Sequence, residues 1–426
     1  MRFKHNPYVS VTNALNILKK NIGVPELETE KVSILRCYGR VLAEDVISNI
    51  NVPQHSRSQM DGFAINCNDV VTASRTAPVI LKLTRTQFKL DSFPSYVIHR
   101  GEACRISTGG FLPDGSDTVV PIEEAEVCTE NRVKIFDRVS EASYVFATGT
   151  DIKKGEQILS KGNIIKPQDI GILALIGAPK VSVYKRPIVA LIPTGSELTA
   201  DFKNKHLGKI PDTHSYILAR IVEQLGCLPI NLGVTADDTK KIAKKLKYAC
   251  IKADLILTIG GSSVGQYDKV GEAINSTGSP GILAHGVKLD RGRVAGLAAI
   301  KGKPIIILPG PIQGAINSFI IFAYPLLRAM VSRSEKMPKI WATLTNRWRA
   351  RKKFLSFTKI VYVTLTCSMK GFKATPLSGG TESMTLLAKA NGYIIVPEKI
   401  DNIKTGNRVR VHLLPGLSYI NDQFID

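Results

Sequence analysis

Residues 188–198 read IVALIPTGSEL. Five apolar residues, some β-branched, run into Pro193-Thr194-Gly195. That is the pattern of a buried strand stopped by a tight turn. LILTIGGSSVG (255–265) repeats the unit, with its apolar run ending on Gly260-Gly261, and IIILPG (305–310) repeats it again. Helical spacing at 215–225 and 239–253 separates these strands. Strands alternating with helices predict a parallel sheet covered on both faces. Open sheets of this kind hold ligands at the carboxyl ends of their strands. The candidate site therefore falls on 194–197, 260–268 and 309–314.

Working outward, Ser10 caps a helix expected over 9–20, and 33–42 (SILRCYGRVL) has weak helical spacing. The stretch 53–64 (PQHSRSQMDGFA) reads as a loop. Short strands are expected at 79–83, 88–90, 96–99, 118–122 and 127–135. The run 46–145 is thus a small β-rich module inserted between flanking pieces, and 168–175 is a short helix ending at Gly177. The α/β part spans 181–332. Alternation at 360–366, 393–396 and 408–412 makes 338–420 a small all-β domain.

The chain has 426 residues, enough for two to four domains. Its formal net charge of +21 favours anionic partners without choosing among them. Seven dispersed cysteines without a C-x-x-C argue against a disulfide framework or a zinc site and for reduced thiols in the cytoplasm. No secretory h-region opens the chain, and its longest apolar windows are too short to span a bilayer.

Several segments carry chemistry. Gly260-Gly261-Ser262-Ser263-Val264-Gly265 can form a nest of N–H donors for a phosphate, or be a plain turn; it is neither a Walker A loop nor a dinucleotide fingerprint. Thr194-Gly195-Ser196-Glu197 can be a ligand turn or a helix start. Asp212 and Asp268 fall at the same sheet edge, where carboxylates beside phosphates suit a hard divalent cation or are simply solvated acids. Basic residues around Trp341 and Trp348 can bind single-stranded nucleic acid or form a wet face. The lysines of 240–247 read as the solvated side of a helix.

Nine segments in order resemble the molybdopterin molybdenumtransferase family, of the MoeA and gephyrin E-domain type. They are GRVLAEDV (39–46), SQMDGFA (58–64), RISTGGFLPDGSDTVVPIEE (105–124), GTDIKKGE (149–156), PTGSEL (193–198), DTHSYILARIVEQLG (212–226), DLILTIGGSSVGQYD (254–268), LPGPIQGAINSF (308–319) and LLAKANGYIIVPE (386–398). The resemblance covers essentially the whole chain. It implies an elongated N-terminal linker and dimerisation region (1–45 with 146–180), the inserted β-rich lid (46–145), a three-layer α/β molybdopterin-binding domain (181–332) and a C-terminal β-barrel-like domain (338–420).

The implied reaction is the last step of molybdenum cofactor synthesis. Molybdate, or tungstate, enters adenylylated molybdopterin with release of AMP. On this resemblance Asp61, Thr108, Glu197 and Asp268 are catalytic, and Glu197 and Asp268 hold Mg²⁺. Thr194, Gly195, Ser196, Asp212, Ser215, Gly260, Gly261, Ser262, Ser263, Gly265, Lys288, Arg291, Arg293, Pro309 and Gly310 bind the pterin nucleotide and oxyanion. Asp151 matches an acid of the connector. A cytoplasmic homodimer is implied, with the lid reaching the partner's site, and with transient contact to the pathway's adenylyltransferase. No membrane partner is expected, and no nucleic-acid module signature is visible.

The chain also departs from the family pattern. An acid becomes Ser196, an Asn becomes His214, PGNP becomes Pro309-Gly310-Pro311-Ile312, a cation becomes Asp290 and an arginine becomes Phe146. A negative side chain facing a dianion at ~4 Å and effective ε ~20 is worth roughly 4 kcal/mol per contact. That raises the alternative of an impaired paralogue that binds molybdopterin or a nucleotide without metal insertion, unless Arg291 or Arg293 neutralises Asp290.

Overall fold

A computed structural model describes residues 8–21, 28–87, 96–201, 208–261, 268–331 and 339–414. Helix α1 (Val11–Asn21) opens it, and Ser10 Oγ accepts from the Asn13 N–H at 3.1 Å, as the cap requires. The helix expected over 33–42 does not form. Thr29–Ser33 is a strand paired antiparallel with Lys180–Tyr184, followed by a single 3-10 turn at Ile34–Arg36. Gly39, at φ +71°, breaks the path, and Leu35 and Tyr38 point to solvent. Lys180–Tyr184 thus pairs with this N-terminal strand and not with the α/β sheet. Helix α2 (Pro167–Leu175) packs beside the pair.

The β-rich module is a six-stranded sheet. Its order is Thr118–Pro121, Gly62–Ile65, Glu102–Ile106, Val79–Gln87, Arg132–Ile135, Ala125–Thr129. Three expectations need correction. Residues 62–64, read as loop, lie in a central strand; all four positions of Gly62–Ile65 are buried, so no alternation marks them. Residues 127–135 are a hairpin of two strands, reversing at Glu130-Asn131. Residues 96–99 contribute only the Val97–Asp114 bridge, and 88–90 lie outside the described residues. Phe63 and Ile65 face one apolar cluster while Ala64 faces another, so the sheet is covered on both sides.

The α/β part carries a second six-stranded sheet, in the order Leu228–Asn231, Ile188–Pro193, Leu255–Ile259, Lys303–Leu308, Gly296–Ile300, Pro280–His285. The first four strands are parallel; Gly296–Ile300 runs antiparallel to both its neighbours, so the sheet is mixed. The signal of the last two strands was short and broken by glycine. The legible part is Lys301-Gly302, both at positive φ, turning the chain between paired Ile300 and Lys303. Val189 and Leu191 face the layer of α3 (His214–Gln224). Ala190 and Ile192 face α4 (Thr239–Lys252) and α5 (Lys269–Thr277). This alternation is what gives three layers.

Helix α6 (Ile312–Ser318) runs through a π turn, Phe319–Ala323, into α7 (Tyr324–Met330), almost wholly buried. The C-terminal strands Lys339–Leu344, Phe372–Pro376, Lys359–Thr366, Gly392–Val396 and Arg408–Leu413 close a barrel. Ile360, Tyr362 and Tyr393 join the apolar cluster around α6 and α7, and Tyr362 Oη donates to Asn317 Oδ1 at 2.7 Å. All seven cysteines are free thiols. Among the described residues no helix is long and apolar enough to cross a membrane.

Candidate active site

The carboxyl ends of Ile188–Pro193, Leu255–Ile259 and Lys303–Leu308 lie side by side. The ladder runs one residue further, with Thr194 N–H donating to Ile259 O at 2.8 Å and Gly260 N–H to Leu308 O at 3.0 Å. The turns then crowd together. A Cβ on Gly260 would stand 2.5 Å from Thr194 O, and one on Gly261 2.5 Å from Thr194 Oγ1. Both residues also hold positive φ, so only glycine fits. A Cβ on Gly310 would lie 3.9 Å from Gly260 Cα. Thr194, Gly260, Gly261, Pro309 and Gly310 thus form one edge.

The expected N–H cradle loses members here. Gly260 N–H is taken by Leu308 O, and Gly195 N–H by Thr235 O at 2.9 Å. Neither donor faces a ligand. Ser262, Ser263 and Gly265 lie outside the described residues.

Ser196 makes a reciprocal pair that sequence reasoning missed. Its N–H donates to Asp237 Oδ2 at 3.0 Å, and its Oγ accepts from Asp237 N–H at 3.1 Å. The signal was the Asp237-Asp238 doublet following the edge strand. Asp237 therefore brings a carboxylate to the turn at Ser196. Glu197 is exposed, with its carboxylate folded over Gly195. Asp212 is buried and accepts from Ser215 N–H at 3.2 Å and from Ser215 Oγ, which also accepts from Asn231 Nδ2 at 3.0 Å. This pair holds the start of α3.

His214 Nδ1 contacts Thr213 Oγ1 at 3.2 Å, and its buried Nε2 makes no hydrogen bond to the described residues. Burial pushes this imidazole down. The Gly310 backbone opposes the shift without closing a bond of normal geometry.

Asp268 caps α5, accepting from Gly271 N–H at 3.0 Å, while its Oδ2 lies 3.2 Å from His285 Nδ1. His285 Nε2 faces Val294 O at 3.2 Å. Burial pushes the Asp268 carboxyl up, against the pull of Gly271 N–H and His285. His285 escaped sequence reading because its strand did. Each Asp268 oxygen thus already has one protein partner. Among the described residues no group of three or more His, Cys, Asp and Glu could hold a metal. The described donors do not assemble the expected Mg²⁺ site.

On the β module, Asp61 Oδ1 accepts from Thr108 N–H at 2.6 Å and from Thr108 Oγ1 at 3.0 Å. These bonds hold the Asp61 carboxyl below its usual range. Both residues are exposed, so the pair matched from sequence is brought together and presented to solvent. Phe146 lies opposite Arg57, whose guanidinium covers Phe111 at 4.0 Å. Asp151 is exposed in the connector.

The charge reversal at Asp290 resolves differently from expectation. Its partner is Arg351, from the barrel end of the chain, and neither Arg291 nor Arg293. Arg291 Nη1 instead donates to Gln313 Oε1 and its Nη2 to Gly379 O at 2.7 Å, while Gln313 N–H donates to Thr381 O at 3.1 Å. Burial, with Arg351 nearby, pushes the Arg291 guanidinium down. Arg291 thus clamps the barrel to the first turn of α6, two residues beyond Pro311. Lys288 is half-buried beside it and Arg293 is exposed.

Family models match three successive stretches. The MoeA N-terminal region (domain I and II) matches residues 9–177, a probable molybdopterin binding domain matches 190–329, and the MoeA C-terminal region (domain IV) matches 342–414. The crystal structure of a molybdopterin biosynthesis MoeA protein from Pyrococcus horikoshii superposes with a TM-score of 0.83 at 28% identity, covering 96% of this chain and 99% of that one. Fold and sheet edge together are those of a MoeA-type multidomain protein.

A molybdopterin molybdenumtransferase of a Nostoc species is 30% identical over 96% of this chain and 95% of its own length. A putative molybdopterin biosynthesis protein of Methanocaldococcus jannaschii is also 30% identical, over 91% and 92%. The chain belongs to the molybdopterin molybdenumtransferase family.

Proposed function

We propose that this protein transfers molybdate into adenylylated molybdopterin, releasing AMP and leaving the metal on the dithiolene sulfurs. The observation that carries the reading is the single edge made by Thr194, Gly260-Gly261 and Gly310, with Asp237 bringing a carboxylate to the turn at Ser196. The edge seats the pterin nucleotide. Asp237 and Glu197 lie where charge on the adenylate bond is handled, and Asp61, held ionised by Thr108, closes over it from the partner of a cytoplasmic homodimer. Neutralisation of Asp290 by Arg351 favours this reading over an impaired paralogue, because the reversed charge is compensated.

The test is incubation of purified protein with adenylylated molybdopterin and molybdate, following AMP and finished cofactor. Tight retention of the pterin nucleotide without AMP release would overturn the transfer reading. Tungstate in place of molybdate sets the metal preference.

A further inference from the structure

Helix α4 carries Lys240, Lys241, Lys244, Lys245, Lys247 and Lys252 and no acid in its 14 residues. Sequence spacing alone reads this as a wet face. Five of the six are indeed exposed, and one side of the helix also borders the 232–236 segment that follows the edge strand, leaving a groove of about 560 Å³ lined by Val234, Thr235, Lys241, Lys244, Lys245 and Tyr248 among others. The geometry points to a second ligand site here, for a small aromatic molecule bearing a phosphate, such as a nucleoside monophosphate.

The volume lies within the roughly 300–1,000 Å³ of small-molecule sites. Lys241, Lys244 and Tyr248 recur at helical spacing, so two cations and one half-exposed ring share a face. Among the described residues neither Lys241 nor Lys244 has an ion-pair partner, and no acid lines the groove. Lys245 Nζ donates to Gly233 O at 2.7 Å and Val234 O at 3.1 Å, pinning the floor. Thr235, 4% exposed, contributes to the wall, with its hydroxyl closed off beneath the surface. Unpaired charge and a stacking ring suit a phosphate attached to a flat ring. The groove adjoins the transfer edge, since the same loop meets Gly195 through Thr235 O and Ser196 through Asp237, but it shares none of the residues Thr194, Gly260, Gly261, Pro309 and Gly310 that form that edge.

Pyridoxal 5′-phosphate is the probe, because it joins a ring, a phosphate and an aldehyde. Its aldehyde condenses with a lysine amine, losing water, and added borohydride reduces the imine to a stable secondary amine. Full-length protein labelled at one equivalent should carry the mark on Lys241, Lys244 or Lys245, and AMP should suppress it better than inorganic phosphate does. In Lys241→Ala/Lys244→Ala the AMP concentration that protects Lys245 should rise at least about tenfold, as loss of charge-assisted bonds requires. Tyr248→Ala should raise it less, and turnover in both variants should match wild type. Label spread over exposed lysines, or untouched by AMP, overturns the site. Loss of turnover in the double variant overturns its separateness from the transfer edge. Protected labelling in a protein that releases no AMP would sink the transfer reading and leave this one standing.

Discussion

Asp61 and Asp268 were matched to the same site, and the fold treats them in opposite ways. Asp61 stands in an exposed loop where two bonds from Thr108 pull its pKa down. Asp268 stands at a helix start beside His285, where burial pushes its pKa up. One carboxylate is kept ionised and presented outward. The other is folded against His285 at the end of the strand Pro280–His285 and caps α5. Residue type and order alone do not separate these roles; exposure and partners do.

The sharpest break would come at the backbone of the sheet edge. Gly260→Ala forces a Cβ into Thr194 O and should cost about 3 kcal/mol in urea unfolding, with turnover lost. A variant as stable as wild type would show that the edge is looser than drawn.

Asp268→Ala removes a helix cap and should cost about 1 kcal/mol, whereas Asp268→Asn can still cap and should cost less. The pH sign separates the aspartates. With its folded pKa raised, Asp268 adds stability as pH falls through the range just above ordinary carboxylates. Asp61, with its pKa lowered, helps above its ordinary value of 3.8 and loses that help as pH falls below it. Melting curves of Asp268→Asn against wild type from neutral pH to pH ~4 test this. The gap should move in wild type's favour on acidification.

Asp290→Lys places a cation against Arg351 and should cost about 1 kcal/mol or less. Cofactor formation at low molybdate should fall. A rise would mean that Asp290 handicaps the oxyanion despite its partner.

Asp61→Asn, which can still accept from Thr108, should lower the melting temperature only slightly at neutral pH while lowering turnover. Mixing these subunits with Glu197→Gln subunits should recover part of it if the site spans two chains. No recovery from a mixed dimer would confine the site to one. The smallest effect is electrostatic. Thr108→Val removes one of the two bonds, and carboxyl NMR should find Asp61 titrating closer to 3.8 than in wild type.

Much of this was readable in the chain. Long apolar runs ending on glycine located three parallel strands and their turns, because buried strands need continuous apolar residues. The barrel's alternation was visible for the same physical reason in reverse. Strands 280–285 and 296–300 were not, since glycine-rich fragments carry little period. His285, and with it the true surroundings of Asp268, went unseen. Asp237 lay in plain view but gains meaning only once its loop returns beside Ser196. Arg351 lies 61 positions from Asp290 in sequence, beyond any local pattern.

The Arg291 clamp has a mechanical consequence. Arg291 and Gln313 tie α6 to the carbonyls of Gly379, Gly380 and Thr381. Gly310 sits only three residues from Gln313. Any load on the barrel is therefore delivered to the floor of the sheet edge through a short, stiff linkage. A protein docking on the barrel would hold the far end of a lever whose near end rests beside Gly260.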